Sequence, residues 1–141
     1  MIVLDTNVLS EVLRPQPEER VLAWLAGQWR AAVFTTTITR AEILYGIQTL
    51  PAGQRKDGLW QAARGILDQD FAGQVLGFDA DAADAFALIA AERRAAGRPI
   101  SQFDALIAAI ARSRGASLAT RNVKDFEGCG IALINPWDFA G

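Results

Sequence analysis

The chain has 141 residues, 51% of them hydrophobic and 21% charged, with a formal net charge of −2. That is enough apolar residue for one buried core and too little charge for extended disorder, so a single domain over residues 1–141 is expected. The lack of histidine and the single cysteine, Cys129, exclude imidazole acid–base pairs, Ser-His-Asp triads, internal disulfides and His- or Cys-built zinc sites.

Ile2–Leu4 reads as a first strand and Asn7–Leu13 as a helix closed by Pro15 and Pro17. Glu18–Trp29 carries Val21, Leu22, Trp24 and Leu25 at helical spacing. Ala32–Thr36 is a β-branched strand, and a helix from Arg40 to Leu50 stops before Pro51. Gln54–Phe71 places Leu59, Trp60, Ala63 and Leu67 along one helical face. Gln74–Phe78 reads as a strand, Ala80–Ala96 as a helix ending at Gly97, and Ser101–Arg114 as a helix stopped by Gly115. Ser117–Ala119 and Ile131–Ile134 complete the strands. No uncharged apolar run approaches the ~20 residues that span a bilayer. The N-terminus has no basic segment ahead of an apolar stretch, and a soluble cytoplasmic protein is expected.

Short apolar strands separated by helices predict an α/β fold with a parallel sheet covered on both faces. Ligands of such folds bind beyond the carboxyl ends of the strands. Asp5 lies at the end of the first strand, and Arg121 and Asn122 lie just past the fourth. Two more acids, Glu42 and Asp104, are followed directly by apolar residues, which places them near helix starts that face the protein. Ionised carboxylates near a core need a compensating charge. Without histidine, an oxygen-preferring divalent metal is the expected compensator, and with it phosphate chemistry.

Each acid also has a structural reading. Thr39-Arg-Ala-Glu42 and Ser101-Gln-Phe-Asp104 both fit a capping box, and Asp5 fits an N-cap. Capping alone does not require the three to converge at one end of a sheet, whereas metal binding does. Asp79, Asp81 and Asp84 read as a helix start, since they lack the glycine turn and terminal glutamate of a calcium loop. Charge is unevenly spread. Residues 93–124 hold seven basic side chains and one acid, Asp104, while the rest of the chain holds seven basic and fifteen acidic ones. A basic region around an embedded acid suits a phosphate backbone.

Leu4-Asp5-Thr6-Asn7-Val8-Leu9-Ser10-Glu11, the Glu42 segment, the Asp104 helix, and Leu118-Ala119-Thr120-Arg121-Asn122 with Asp125-Phe126 occur in one order along the chain. Together they resemble PIN-domain ribonucleases, and more narrowly the VapC toxins of toxin–antitoxin modules, in the FitB-like branch. The closing Ile134-Asn135-Pro136-Trp137 is similar to that branch too. The resemblance implies a three-layer α/β/α sandwich with a parallel five-stranded sheet. It also implies Mg²⁺- or Mn²⁺-dependent endonucleolytic hydrolysis of RNA, a homodimer and a cognate antitoxin. Carried over by position, Asp5, Glu42 and Asp104 match the acidic metal-binding set, and the fourth acidic position falls on the amide Asn122, with Asp125 close enough in sequence to contribute. Thr6, Ser10 and Thr120 are the hydroxyls expected to fix the carboxylates, with helix capping as the alternative. Arg40, Arg112, Arg114, Arg121 and Lys124 are the expected RNA phosphate contacts, with a solvated surface as the alternative. A groove near Leu9, Val12, Leu13 and Trp24 is the expected antitoxin seat. Asn122 keeps open a second reading, an inactive metal- or RNA-binding scaffold of the same fold.

Overall fold

The protein is described by a computed structural model covering Met1–Gly141. Five short strands form one parallel sheet: β1 (Ile2–Leu4), β2 (Val33–Thr36), β3 (Val75–Leu76), β4 (Ser117–Ala119) and β5 (Leu133–Ile134). Their spatial order is β3-β2-β1-β4-β5. The chain therefore builds outward from β1 in one direction and then returns to lay β4 and β5 on its other side. The point of reversal lies between β1 and β4, where Val3 pairs with Leu118 and Leu4 with Ala119. Strands this apolar cannot face water, and six helices cover them: α1 (Thr6–Val12), α2 (Glu19–Ala26), α3 (Thr37–Gln48), α4 (Gln54–Gly65), α5 (Ala80–Ala95) and α6 (Gln102–Ser113).

The core divides between the two faces of the sheet. Val3 and Leu118 pack with α5 and α6 through Ile89, Ile107 and Ile110. Leu4 and Ala119 pack with α1, α2 and α3 through Val8, Leu9, Val21, Ile43 and Ile47. Alternation along three-residue strands thus sends neighbouring side chains into opposite layers. This is the expected three-layer architecture, with the expected five parallel strands.

Element ends differ from the sequence expectation for local reasons. Helix α3 begins at Thr37, three residues early, because the Thr36 hydroxyl accepts the Thr39 N–H at 3.0 Å and caps it there. Glu42 consequently sits inside the helix, and its capping-box reading does not hold. The helix expected over Gln54–Phe71 changes at Gly65 into a π-helical turn, Ile66–Asp70. Only Val75 and Leu76 of the Gln74–Phe78 segment pair as strand. The acids at 79, 81 and 84 do open α5, and the Asp79 carboxylate caps the N–H of Ala82 at 2.9 Å. No helix is long and apolar enough to cross a membrane.

Candidate active site

At the carboxyl edge of the sheet the β1–β4 reversal opens a cleft of about 480 Å³. Asp5 leaves β1 into it, Glu42 reaches it from α3 and Asp104 from the first turn of α6. Asn122, beyond β4, completes the set.

Asp5 is only 5% exposed. Its Oδ1 accepts the N–H of Thr6 at 2.8 Å and its Oδ2 accepts the Thr120 hydroxyl at 2.8 Å. Its own N–H donates to the Ala119 carbonyl, which pins the residue to the end of β4. Burial raises its pKa from 3.8 to about 6, the two hydrogen bonds oppose the rise, and the charges of Asp104 and Glu42 add to it. No cation pairs with Asp5 in the protein. The Asp104 carboxyl is also pushed up by burial and by the nearby Asp125 charge, against the Ser101 hydroxyl and the Arg93 guanidinium. Ser101 caps α6 by accepting the Asp104 N–H at 3.3 Å. Asp5, Glu42 and Asp104 share one cleft wall, and none of the three is in a salt bridge.

Hydroxyls set the geometry. Thr6 donates to Glu42 Oε1 at 2.8 Å and lies 3.0 Å from the Thr39 hydroxyl, which ties α1 to α3. Thr120 Oγ1 accepts the Asn122 N–H at 3.1 Å and the Asn7 amide at 3.3 Å while donating to Asp5. One buried hydroxyl therefore links both sides of the chain reversal. Ser10 lines the cleft without bonding a carboxylate.

Residues 2–127 match the PIN domain. The chain belongs to the PIN-domain family. It is similar to plasmid stability protein StbB of Pseudomonas syringae pv. tomato, at 43% identity over 98% of this chain and 99% of that one. VapC ribonuclease Y4jK of Sinorhizobium fredii is 39% identical over 98% of this chain and 99% of its own length. Toxin FitB of Neisseria gonorrhoeae is 39% identical over 97% and 99%. The structure of FitAB bound to an IR36 DNA fragment matches with a TM-score of 0.93 at 38% identity, covering 100% of this chain and 99% of that chain.

Within this PIN domain the sequence-based site divides in two. Asp5, Glu42, Asp104 and Asn122 line one cleft, with Thr6, Ser10 and Arg121 beside them. The Asp125 side chain is exposed and lies off the cleft wall; its charge reaches Asp104, and its carbonyl accepts from Arg93 at 2.9 Å. Arg112 packs against Gly130 and faces Glu92 at 3.7 Å, while Arg114 faces Asp79 at 3.8 Å. Both sit at the far end of α6, about 12 Å or more along its axis from Asp104. Helical rise separates residues that are near in sequence, so the basic run is not one patch. Arg40 is paired with Asp68 at 2.7 Å, and Lys124 lies off the cleft wall. The expected groove also separates: Trp24 is buried, Leu9 and Val12 border one opening, and Leu13 borders another.

Four cleft residues were not foreseen: Asn7, Glu11, Arg14 and Trp137. Glu11 is 5% exposed, and its carboxylate accepts Arg14 Nη1 at 3.1 Å and the Glu18 N–H at 3.0 Å. The i,i+3 spacing of Glu11, in the last turn of α1, and Arg14, just past its end, was the available signal. Trp137 reaches the cleft from the turn after β5.

Proposed function

We propose that this PIN domain is the endoribonuclease toxin of a toxin–antitoxin pair and hydrolyses RNA phosphodiester bonds in the Asp5–Glu42–Asp104 cleft. The observation that carries the reading is the convergence of these three carboxylates at the β1–β4 reversal, with Asp5 buried and unpaired by any cation. A relative named as a VapC ribonuclease supports the activity, and one named as toxin FitB supports the toxin role.

The donor set fits Mg²⁺ or Mn²⁺. All the available ligands are hard oxygens, and no soft nitrogen or sulfur competes at the cleft. No group of three acidic side chains closes around a single point. That spacing suits an ion that takes one or two carboxylates and keeps much of its water. Asp5 and Asp104, with Glu42, would hold it, and the ion would supply a water of lowered pKa and shield charge at the phosphate. The protein's own part is positioning. Thr120 and Thr6 fix the carboxylates, and Asn122 adds a neutral amide in place of a fourth charge. Arg121, which lines the cleft and makes no ion pair, attracts the RNA backbone. Attack of water at phosphorus with loss of the 3′-oxygen leaves 5′-phosphate and 3′-hydroxyl ends.

An antitoxin is the proposed partner. An apolar groove of about 540 Å³, bordered by Leu13, Ile43, Ile47, Leu50 and Leu59, shares Ser10, Arg14 and Glu42 with the acidic cleft. A chain seated in that groove would obstruct the cleft beside it. A homodimer is also proposed; Tyr45, Leu88 and Phe103 are large apolar side chains left exposed on the helices, and sedimentation velocity tests it.

The test is cleavage of a mixed cellular RNA pool by purified protein in Mg²⁺, Mn²⁺ or EDTA, beside Asp5→Ala and Asp104→Asn. Metal-dependent cuts lost in both variants are expected. RNA binding without cuts, equal in wild type and variants, would favour the inactive scaffold instead.

A further inference from the structure

Trp137 is the one hydrophobic side chain on the wall of the acidic cleft. Its half-buried indole packs against the core layer that holds Leu4, Val21 and Ala119. The guanidinium carbon of Arg121 sits over the ring, 5.1 Å from its centroid. Arg121 follows β4 and Trp137 follows β5, the neighbouring strand.

Backbone bonds hold both members in place. The Trp137 N–H donates to Asn135 Oδ1 at 3.0 Å, and its carbonyl accepts from Arg20 Nη1 at 3.3 Å. The Arg121 N–H donates to Asn7 Oδ1 at 3.3 Å, which ties the pair to the same asparagine that bonds Thr120. Arg121 is exposed and makes no ion pair, unlike Arg14 on the same cleft, whose charge is tethered by Glu11. An aromatic ring in place of a carboxylate under an arginine holds the guanidinium without neutralising it. It also leaves a flat cation at the rim of the cleft. Single-stranded RNA is held by stacking of unpaired bases on aromatic rings and arginine planes.

We propose that the Arg121–Trp137 pair is a base-binding wall, on which a nucleobase of single-stranded RNA beside the scissile phosphate stacks against the Arg121 guanidinium that Trp137 holds in place. The wall would make cleavage sensitive to the identity of that base, whereas the acids act on any phosphodiester. The inference rests on the nuclease reading for its substrate.

Charge and plane are separated by Arg121→Lys, which keeps the charge, loses the flat fork and lies on the surface where folding is unaffected. Binding is measured by fluorescence anisotropy on a short fluorescein-labelled single-stranded oligoribonucleotide of mixed sequence, and on the same ribose-phosphate chain lacking its bases. Asp5→Asn serves as the background, so that the probe survives. The expected result is a loss of roughly 5- to 150-fold for Arg121→Lys on the base-bearing oligomer, with affinity for the base-less chain unchanged. Trp137→Leu should act in the same direction; Trp137→Phe, which keeps a ring against the core, covers the case in which leucine disturbs folding and should lose less. Equal losses on both probes, or none on either, would overturn the stack. In the mixed-pool cleavage assay, Arg121→Lys in the otherwise wild-type chain should relax the base preference beside the cut. Cuts that persist with their preference unaltered would refute the wall and leave the nuclease standing. Wild-type protein that cuts nothing yet shows the base-dependent binding loss would refute the nuclease and leave the wall standing.

Discussion

Replacing Asp5 with asparagine should stabilise the metal-free protein at neutral pH while abolishing its activity. Burial holds the Asp5 carboxyl at about 6, against 3.8 for an ordinary aspartate. The native state therefore binds this proton more tightly than the unfolded chain. Its contribution to stability is fully present below about pH 4 and is lost as pH rises through about 6. A gap of about two pH units corresponds to about 3 kcal/mol once both states are ionised. Asparagine has no charge to desolvate and escapes that cost. It offers one acceptor oxygen where aspartate offers two, so either the Thr6 or the Thr120 hydrogen bond is lost, at about 1 kcal/mol. The net gain is about 2 kcal/mol, which in a chain of this length raises Tm by about 6 °C. Calorimetric melts in EDTA at about pH 4 and about pH 7.5 test both the size and the sign, because the advantage should vanish at the lower pH. An Asp5→Asn protein that melts at or below wild type at the higher pH would refute the reasoning, as would an advantage independent of pH.

The same cleft should make wild type responsive to metal. Mg²⁺ or Mn²⁺ at a hundred times its dissociation constant stabilises by about 2.7 kcal/mol, and the resulting rise in Tm should be absent in Asp5→Asn. Thr120→Val keeps the shape but removes the hydroxyl that donates to Asp5 and accepts from Asn122 and Asn7; kcat/KM on cellular RNA or metal affinity should fall roughly 10- to 100-fold. Arg93 is buried and donates to the carbonyls of Arg98, Asp125 and Glu127, so Arg93→Met should cost roughly 3 kcal/mol in urea unfolding and loosen the segment after Asn122. Arg121→Ala should lower the slope of log K against log salt for RNA binding by about one, while Arg112→Ala and Arg114→Ala, each facing an acid, leave it unchanged.

Much of the fold was legible because its signals are local. Three-residue apolar strands set between amphipathic helices have few arrangements other than a parallel sheet, and helix α6 begins and ends where Ser101 and Gly115 place its caps. The misplaced boundaries lie where a short-range contact competes with hydrophobic period. Thr36 captures the start of α3, and α4 passes after Gly65 into a π-turn that the hydrophobic period does not record. The three acids could be picked out one by one, since each is an ionisable group among apolar neighbours. The Thr6–Glu42 bond joins residues 36 positions apart and the Thr120–Asp5 bond residues 115 apart, and no local pattern records such pairings.

The sequence by itself determined the chemistry on offer. A chain without histidine and with one cysteine has carboxylates for its reactive groups, and alternating strands and helices carry Asp5 and Asn122 to the carboxyl edge of a sheet. Tertiary structure decided which of the charged residues share that edge. The reversal of strand order between β1 and β4 brings Asp5 beside Thr120, and the packing of α3 and α6 turns Glu42 and Asp104 inward. Helical rise carries Arg112 and Arg114 to the opposite end, where acids hold them. Burial raises the Asp5 pKa, and the placement of Trp137 under Arg121 leaves that cation free at the rim. Desolvation and Coulomb energy depend on distance through space, and for these residues that distance exists only after the chain has closed on itself.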